Sequence, residues 1–188
     1  MLYYLHKFKE KQHMNIFVIN IDPFIAAKNL CDAHVVKMIV ETCQLLSTQD
    51  RINGLAEDRY KSTHTNHPCR KCLDNKFNYI WLQYHLYGLL KEYTYRYGKI
   101  HKCQEMYDKY WKRSDDKDLY ERKGITFIEN YAELVDCTSF PQCIPQDIQI
   151  NSKDIFDVVK AYRNYYKLKK KTIKRWKYTK RNRPQWLI

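Results

Sequence analysis

From Ala33 to Leu46 the apolar residues return at helical rather than alternating spacing, with Asp32 ahead of them as an N-cap and no Gly or Pro between. The pattern predicts a helix. At about 100° per residue, His34, Lys37 and Glu41 fall at i, i+3 and i+7 on one narrow stripe, while Val35, Val36, Ile39, Val40, Cys43 and Leu46 cover most of the remaining circumference. A helix this apolar is expected to be largely buried, so that its polar stripe lines a cleft where a pKa can be tuned. The plainer reading of the same stripe is a solvated face carrying an ordinary i, i+4 pair between Lys37 and Glu41.

A second long helix is predicted over Lys76 to Tyr97, ended by Gly98 at C′. Asn78, Trp81, His85, Glu92 and Arg96 share one stripe of it, with Leu82, Leu86, Leu89, Leu90 and Tyr93 on other faces; Lys99, His101 and Lys102 continue the stripe into a basic loop. Two helices that each carry a His and a Glu suggest one shared cleft, with Glu41 opposite His85, Glu92 and Arg96.

Around this pair the pattern is simpler. Asn15 to Asn20 reads as a short extended apolar segment, and Asp22-Pro23 opens a first helix with Pro23 at N1. Thr48 to Thr65 loses periodicity and reads as a loop. Residues 103–137 alternate charged and aromatic side chains as one or two amphipathic helices, Thr138 to Asp147 is a Pro-marked connection, and Asp154 to Lys170 forms a last helix that buries Ile155, Val158, Val159, Tyr162 and Tyr165 or Tyr166. The expected architecture is an all-α, compact single-domain fold with a short extended N-terminal segment. Its parts are an N-terminal extension (1–13), a helical domain (14–166) and a basic, aromatic C-terminal segment (167–188).

Composition supports this: 4 Gly and 5 Pro against 15% aromatic residues favour a helical domain over a loop-rich β fold. The net charge of +13 is uneven, because Lys167 to Arg183 holds seven Lys and three Arg with no acid, and without it the chain carries only +3. Such a patch, interleaved with Trp176 and Tyr178, suits phosphate contacts and base stacking; Lys170, Lys174, Arg175 and Trp176 are its candidate DNA ligands. The plainer alternative is a solvated tail or an address signal. Seven irregularly spaced cysteines and no secretory leader point to a reducing, intracellular setting, the host cytoplasm or nucleus for a viral protein. No apolar run reaches the roughly 18 residues of a membrane span, so no membrane partner is expected. His64, His67, Cys69 and Cys72 raise zinc, but structural zinc sites draw on separated ligand pairs and these four are crowded into nine residues. Cys69 and Cys72 are therefore expected as free thiols, with no metal and no cofactor.

The blocks His34-Val-Val-Lys-Met38 with Glu41-Thr42, Asn66-His67-Pro68-Cys69, Glu92-Tyr-Thr-Tyr-Arg96-Tyr-Gly-Lys99 with His101-Lys102, Ala161 to Tyr166 and Pro184-Gln185-Trp186 resemble a family carried by phages and large viruses. The resemblance runs from residue 14 to residue 188. Through Leu30-Cys-Asp-Ala-His34 and Glu41, that family is distantly similar to the endonuclease V-type pyrimidine-dimer DNA glycosylases, small helical enzymes acting on damaged duplex DNA. There an early helix supplies a histidine and a catalytic glutamate at this separation. Those enzymes use the amine of a processed N-terminal residue, which forms a Schiff base with the sugar. Here Asn15 follows Met14 and residues 1–13 precede both, so without trimming no free amine lies near Glu41. Lys37, one turn away, or a water activated by Glu41 would then take its place.

The resemblance and the stripes together imply a DNA-processing enzyme of the pyrimidine-dimer or base glycosylase type, with Glu41 stabilising the oxocarbenium-like state and Lys37 and His34 beside it. Asn78, Trp81, His85, Glu92, Arg96, Lys99 and His101 would meet a flipped nucleotide and its phosphates in double-stranded, damaged or modified DNA. Two other readings fit the same features: a non-enzymatic viral nucleic-acid-binding protein, and an enzyme of free nucleotides or nucleosides. Oligomeric state is not legible.

Overall fold

Helix α4 (Lys76–Tyr97) is the axis of the molecule. Every residue from Trp81 to Leu90 is buried, which an isolated amphipathic helix would not achieve and an all-round apolar one requires. The computed structural model describes residues 14–55, 58–113, 139–169 and 176–188. Among them are helices α1 (Pro23–Asn29), α2 (Asp32–Ile52), α3 (Pro68–Lys71), α4, α5 (Cys103–Tyr110) and α6 (Ile155–Lys169), 3-10 turns at Cys72–Asp74 and Gln185–Leu187, and no strand. The fold is all-α.

Helices α1 and α2 make the most extensive packing on α4. At Gly88 a Cβ would meet the Ala27 Cβ at 3.0 Å, so this glycine sets how closely α1 approaches. Asp22 caps α1 by accepting from the Phe24 and Ile25 amides, with Pro23 at N1, and Gly98 ends α4 at φ 66°. These ends fall where the sequence places them. Helix α2 instead runs on to Ile52, through the start of the expected loop, and Asp32 is not its N-cap. Its carboxylate accepts from Thr179 and Arg96, so Cys31 stands at the cap position without a side-chain bond.

Residues 14–19 are buried throughout but form no ladder; the Val18 amide turns back to the Ile16 carbonyl at 3.0 Å. The C-terminal residues also belong to the core. Trp176, Pro184 and Leu187 are buried, the Lys177 carbonyl accepts the Asp32 amide at 2.9 Å, and Arg181 binds Glu92 through two nitrogens at 2.6 and 3.0 Å. The expected extension 1–13, the second part of the helical stretch 103–137, and Lys170, Lys174 and Arg175 lie outside the described residues. Among the described residues no helix is long and apolar enough to cross a membrane.

Candidate active site

Glu41 sits on α2 with 16% of its side chain exposed, and its two oxygens face different partners. Oε1 pairs with Lys37 at 3.2 Å, whereas Oε2 accepts the backbone N–H of Asn15 at 3.3 Å. The first contact follows from i, i+4 spacing; the second joins residues 26 apart and is invisible in any local pattern. Asn15 is itself tightly held. Its Oδ1 accepts from the Tyr162 hydroxyl at 2.6 Å and from the Ile16 amide at 2.8 Å, and its Nδ2 donates to the Cys143 carbonyl at 2.9 Å. Burial, reinforced by the nearby Cys69 and Cys143 thiols, pushes Tyr162 well above the ordinary phenol range, so it stays a neutral donor. Four segments therefore meet at one residue, Asn15: residues 14–19, α2 at its backbone nitrogen, and the connection 139–154 and α6 at its side chain.

His34, two turns before Glu41, lies in an aromatic cage. Its ring stacks on Phe17 at 4.3 Å and 10°, meets Trp176 edge-on at 5.7 Å, and its Nδ1 lies 2.5 Å from the Tyr166 hydroxyl. Seven residues of helix separate it axially from Glu41 by about 10 Å, so the two share a face without touching through the helix. Trp176, a sequence candidate for base stacking, spends its ring on this cage and is 6% exposed.

The stripe on α4 has other work. Arg96 donates to the carbonyls of Leu30 (2.8 Å) and Lys28 (2.9 Å) and to the carboxylates of Asp32 (3.0 Å) and Glu92 (3.1 Å), with no side-chain exposure. Arg96 meets α2 at Asp32, nine residues or about 14 Å of helix from Glu41, so the two stripes do not close one cleft there. Hydrogen bonds from Thr179 and Arg96 outweigh partial burial and hold the Asp32 carboxyl below its usual range. Asn78 donates to the Cys72 carbonyl at 2.9 Å and Trp81 to the Ile21 carbonyl at 2.6 Å, both fully enclosed. Lys99 is exposed, and His101 accepts the Cys103 amide at the start of α5 at 3.1 Å.

His85 is fully buried, donates through Nδ1 to the Pro23 carbonyl at 2.9 Å, and among the described residues finds no partner for Nε2. Burial pushes its pKa down from 6.5 to about 4, against the opposing effect of the Pro23 carbonyl. Between those values the unfolded chain takes up a proton that the folded chain refuses. Stability is therefore full above the unfolded value and falls as pH drops towards the folded one, by roughly 3 kcal/mol in all. Urea midpoints across this window should show the decline, and His85→Gln should flatten it; an identical profile in the variant would place the acid sensitivity elsewhere.

A basic hollow of about 450 Å³ opens along α6, lined by Phe156, Lys160, Arg163, Lys167 and the returning Trp186. Arg163 donates to the Ile19 carbonyl at 2.9 Å and lies 5.2 Å over the Trp186 ring. Apolar periodicity on α6 marks its buried face. The opposite stripe, at offsets of 4, 3 and 4 from Phe156 to Lys167, was legible by the same rule. Asn15, Tyr162 and Cys143 had no such signal.

Fold and site define a small basic helical protein in which a helix-borne carboxylate receives the backbone nitrogen of an N-terminal segment. Residues 14–106 match the family model of pyrimidine dimer DNA glycosylase, a span of just under half the chain that contains Asn15, His34, Lys37 and Glu41. The distant resemblance to those enzymes is thereby shown for that part. No curated protein and no solved structure matches the chain.

Proposed function

We propose that the protein is a DNA glycosylase of the pyrimidine-dimer type, acting on damaged duplex DNA, with Glu41 as its catalytic carboxylate. The observation that carries this reading is the Asn15 nitrogen at 3.3 Å from Glu41 Oε2. In a chain cut between Met14 and Asn15 that nitrogen is a primary amine, and an α-amine loses its proton near pH 8, about two units below a lysine side chain in model peptides. It can then attack the sugar C1′ while the bond from C1′ to the base breaks. The base leaves with the bonding electron pair and is protonated by water; Glu41 offsets the positive charge developing on the sugar, then takes the proton released by the amine and passes it to the ring oxygen as the ring opens, which leaves an imine between Asn15 and C1′. Lys37 stands on the other oxygen of Glu41 and orients it.

In a chain that keeps its N-terminal residues the Asn15 nitrogen is an amide with no free lone pair. Glu41 then serves a water, and the base leaves without an imine. The hollow on α6 supports the DNA substrate: Lys160, Arg163 and Lys167 suit phosphates, and Trp186 and Phe156 offer faces for a base.

Borohydride trapping on ultraviolet-irradiated duplex DNA tests the reading with two chains, one starting at Met1 and one at Asn15. The expected result is a covalent adduct for the chain starting at Asn15, retained by Lys37→Gln, and base release without an adduct for the other. Neither adduct nor base release from either chain would end the glycosylase reading. An adduct lost in Lys37→Gln would move the nucleophile to Lys37.

A further inference from the structure

The loop that opens α3 and the connection after residue 138 are far apart in sequence, yet they bring together His67, Cys69 and Cys143. One ligand atom from each lies within 4.8 Å of the other two. Cys69 is buried, and the other two are half-buried. The two sulfurs are 3.4 Å apart across 74 residues. Two thiolates on one tetrahedral zinc, at about 2.3 Å each, stand about 3.8 Å from one another. A disulfide requires about 2.05 Å. The observed spacing is a few tenths of an ångström from the first arrangement and more than an ångström from the second.

The imidazole supplies a donor of the right kind. The Cys69 amide can only donate, and it does so to His67 Nδ1 at 3.1 Å, so Nδ1 carries the lone pair and Nε2 the proton. A cation taking that lone pair would replace one amide hydrogen bond. The ligand set differs from the one the sequence suggests: His67 and Cys69 come from the crowded loop, and Cys143 joins them from the second segment that zinc sites usually need. The Cys72 sulfur points instead to the Cys69 carbonyl at 3.2 Å.

We propose that His67, Cys69 and Cys143 bind one thiophilic divalent cation, zinc by its preference for mixed sulfur and nitrogen ligands, with the fourth position open to water. The site lies directly behind the reacting nitrogen. Cys69 Sγ is 3.7 Å from the Met14 carbonyl, and the Cys143 carbonyl holds the Asn15 side chain at 2.9 Å. The cation ties the connection 139–154 to α3 and so fixes one of the contacts that orient Asn15 towards Glu41.

The test needs no DNA, so it stands or falls apart from the glycosylase reading. The reduced, metal-free chain is titrated with Co²⁺, and the metal content of protein purified without chelator is measured by mass spectrometry. The expected result is one Co²⁺ per chain, with thiolate-to-cobalt charge-transfer absorption and the intense visible bands of a four-coordinate ion. Cys143→Ser should halve the charge-transfer intensity and weaken binding by at least about tenfold, whereas Cys72→Ser and His64→Ala should change neither. Circular dichroism of Cys143→Ser shows whether the variant is folded, and a competition against Zn²⁺ with the wild-type chain gives the affinity even if it is not. The proposal is overturned if the reduced wild-type chain binds no cobalt, if Cys72→Ser rather than Cys143→Ser abolishes the absorption, or if Cys69 and Cys143 are found joined as a disulfide that excludes the metal.

Discussion

Glu41→Gln should lower the single-turnover rate of base release by about 10²- to 10⁴-fold and leave DNA affinity within a fewfold. The substitution is nearly isosteric, and a glutamine oxygen can still accept the Asn15 amide that Glu41 accepts now. What disappears is the negative charge. The lost pair with Lys37, whose side chain is 37% exposed, is worth only a few tenths of a kcal/mol, so the fold should be indifferent. In the proposed reaction that charge would face an incipient cation on the sugar in a largely enclosed site, where water cannot replace it. Rates on ultraviolet-irradiated duplex and affinities by fluorescence anisotropy separate the two effects. An unaltered rate would remove Glu41 from the chemistry.

The largest expected effect on stability lies at the other end of α2. Arg96→Leu should cost about 3–5 kcal/mol, because it strips a fully enclosed guanidinium from two carboxylates and two carbonyls and leaves those acceptors behind. A single domain of this kind has about 5–15 kcal/mol in total, so the variant should sit near the limit of folding. Arg181 keeps a hold on Glu92 and Thr179 keeps one on Asp32, which sets the loss at the lower part of that range. Arg96→Lys should rescue little, since an ammonium cannot span the planar fork of partners. Denaturant midpoints measure the loss. A variant of normal stability with weakened DNA binding would instead restore Arg96 to the nucleic-acid surface.

Arg96 also shows where sequence reasoning stops. The helices α1, α2, α4 and α6 were legible because apolar periodicity, Pro23, Gly98 and the acidic caps are local signals. A His, Glu and Arg on one helical stripe are equally local, but whether they face solvent, ligand or buried partners depends on residues elsewhere in the chain. Arg96 finds Asp32 at a separation of 64 residues, and Glu92 finds Arg181 at 89. Ten consecutive buried positions on α4 are the structural fact that decides the matter, and the Leu-rich other faces were the hint of it. Asp32 misled for a related reason: a residue that favours helix starts was given a tertiary task there. Glu41 is singled out in the sequence by its place on the polar stripe of α2, and the structure puts it beside Lys37 and the Asn15 nitrogen. The contact of Glu41 with the nitrogen of Asn15 has no signal in local spacing, because a backbone group carries no residue type to recognise; only the family resemblance points to an amine at that place.

The partners of Asn15 arrive at very different times during synthesis. Glu41 follows it by 26 residues, Cys143 by 128 and Tyr162 by 147. Helices built from neighbouring residues can form while the chain is still emerging, but contacts closing loops of this length come last. A ribosome-bound chain that has passed α4 already contains Glu41 and most of the core helices, yet the hydroxyl and carbonyl that hold the Asn15 side chain in place have still to be made. The surroundings of Asn15 are thus complete only when nearly all of the polypeptide has been translated, and an interrupted product would carry Glu41 without the contacts that hold the Asn15 side chain.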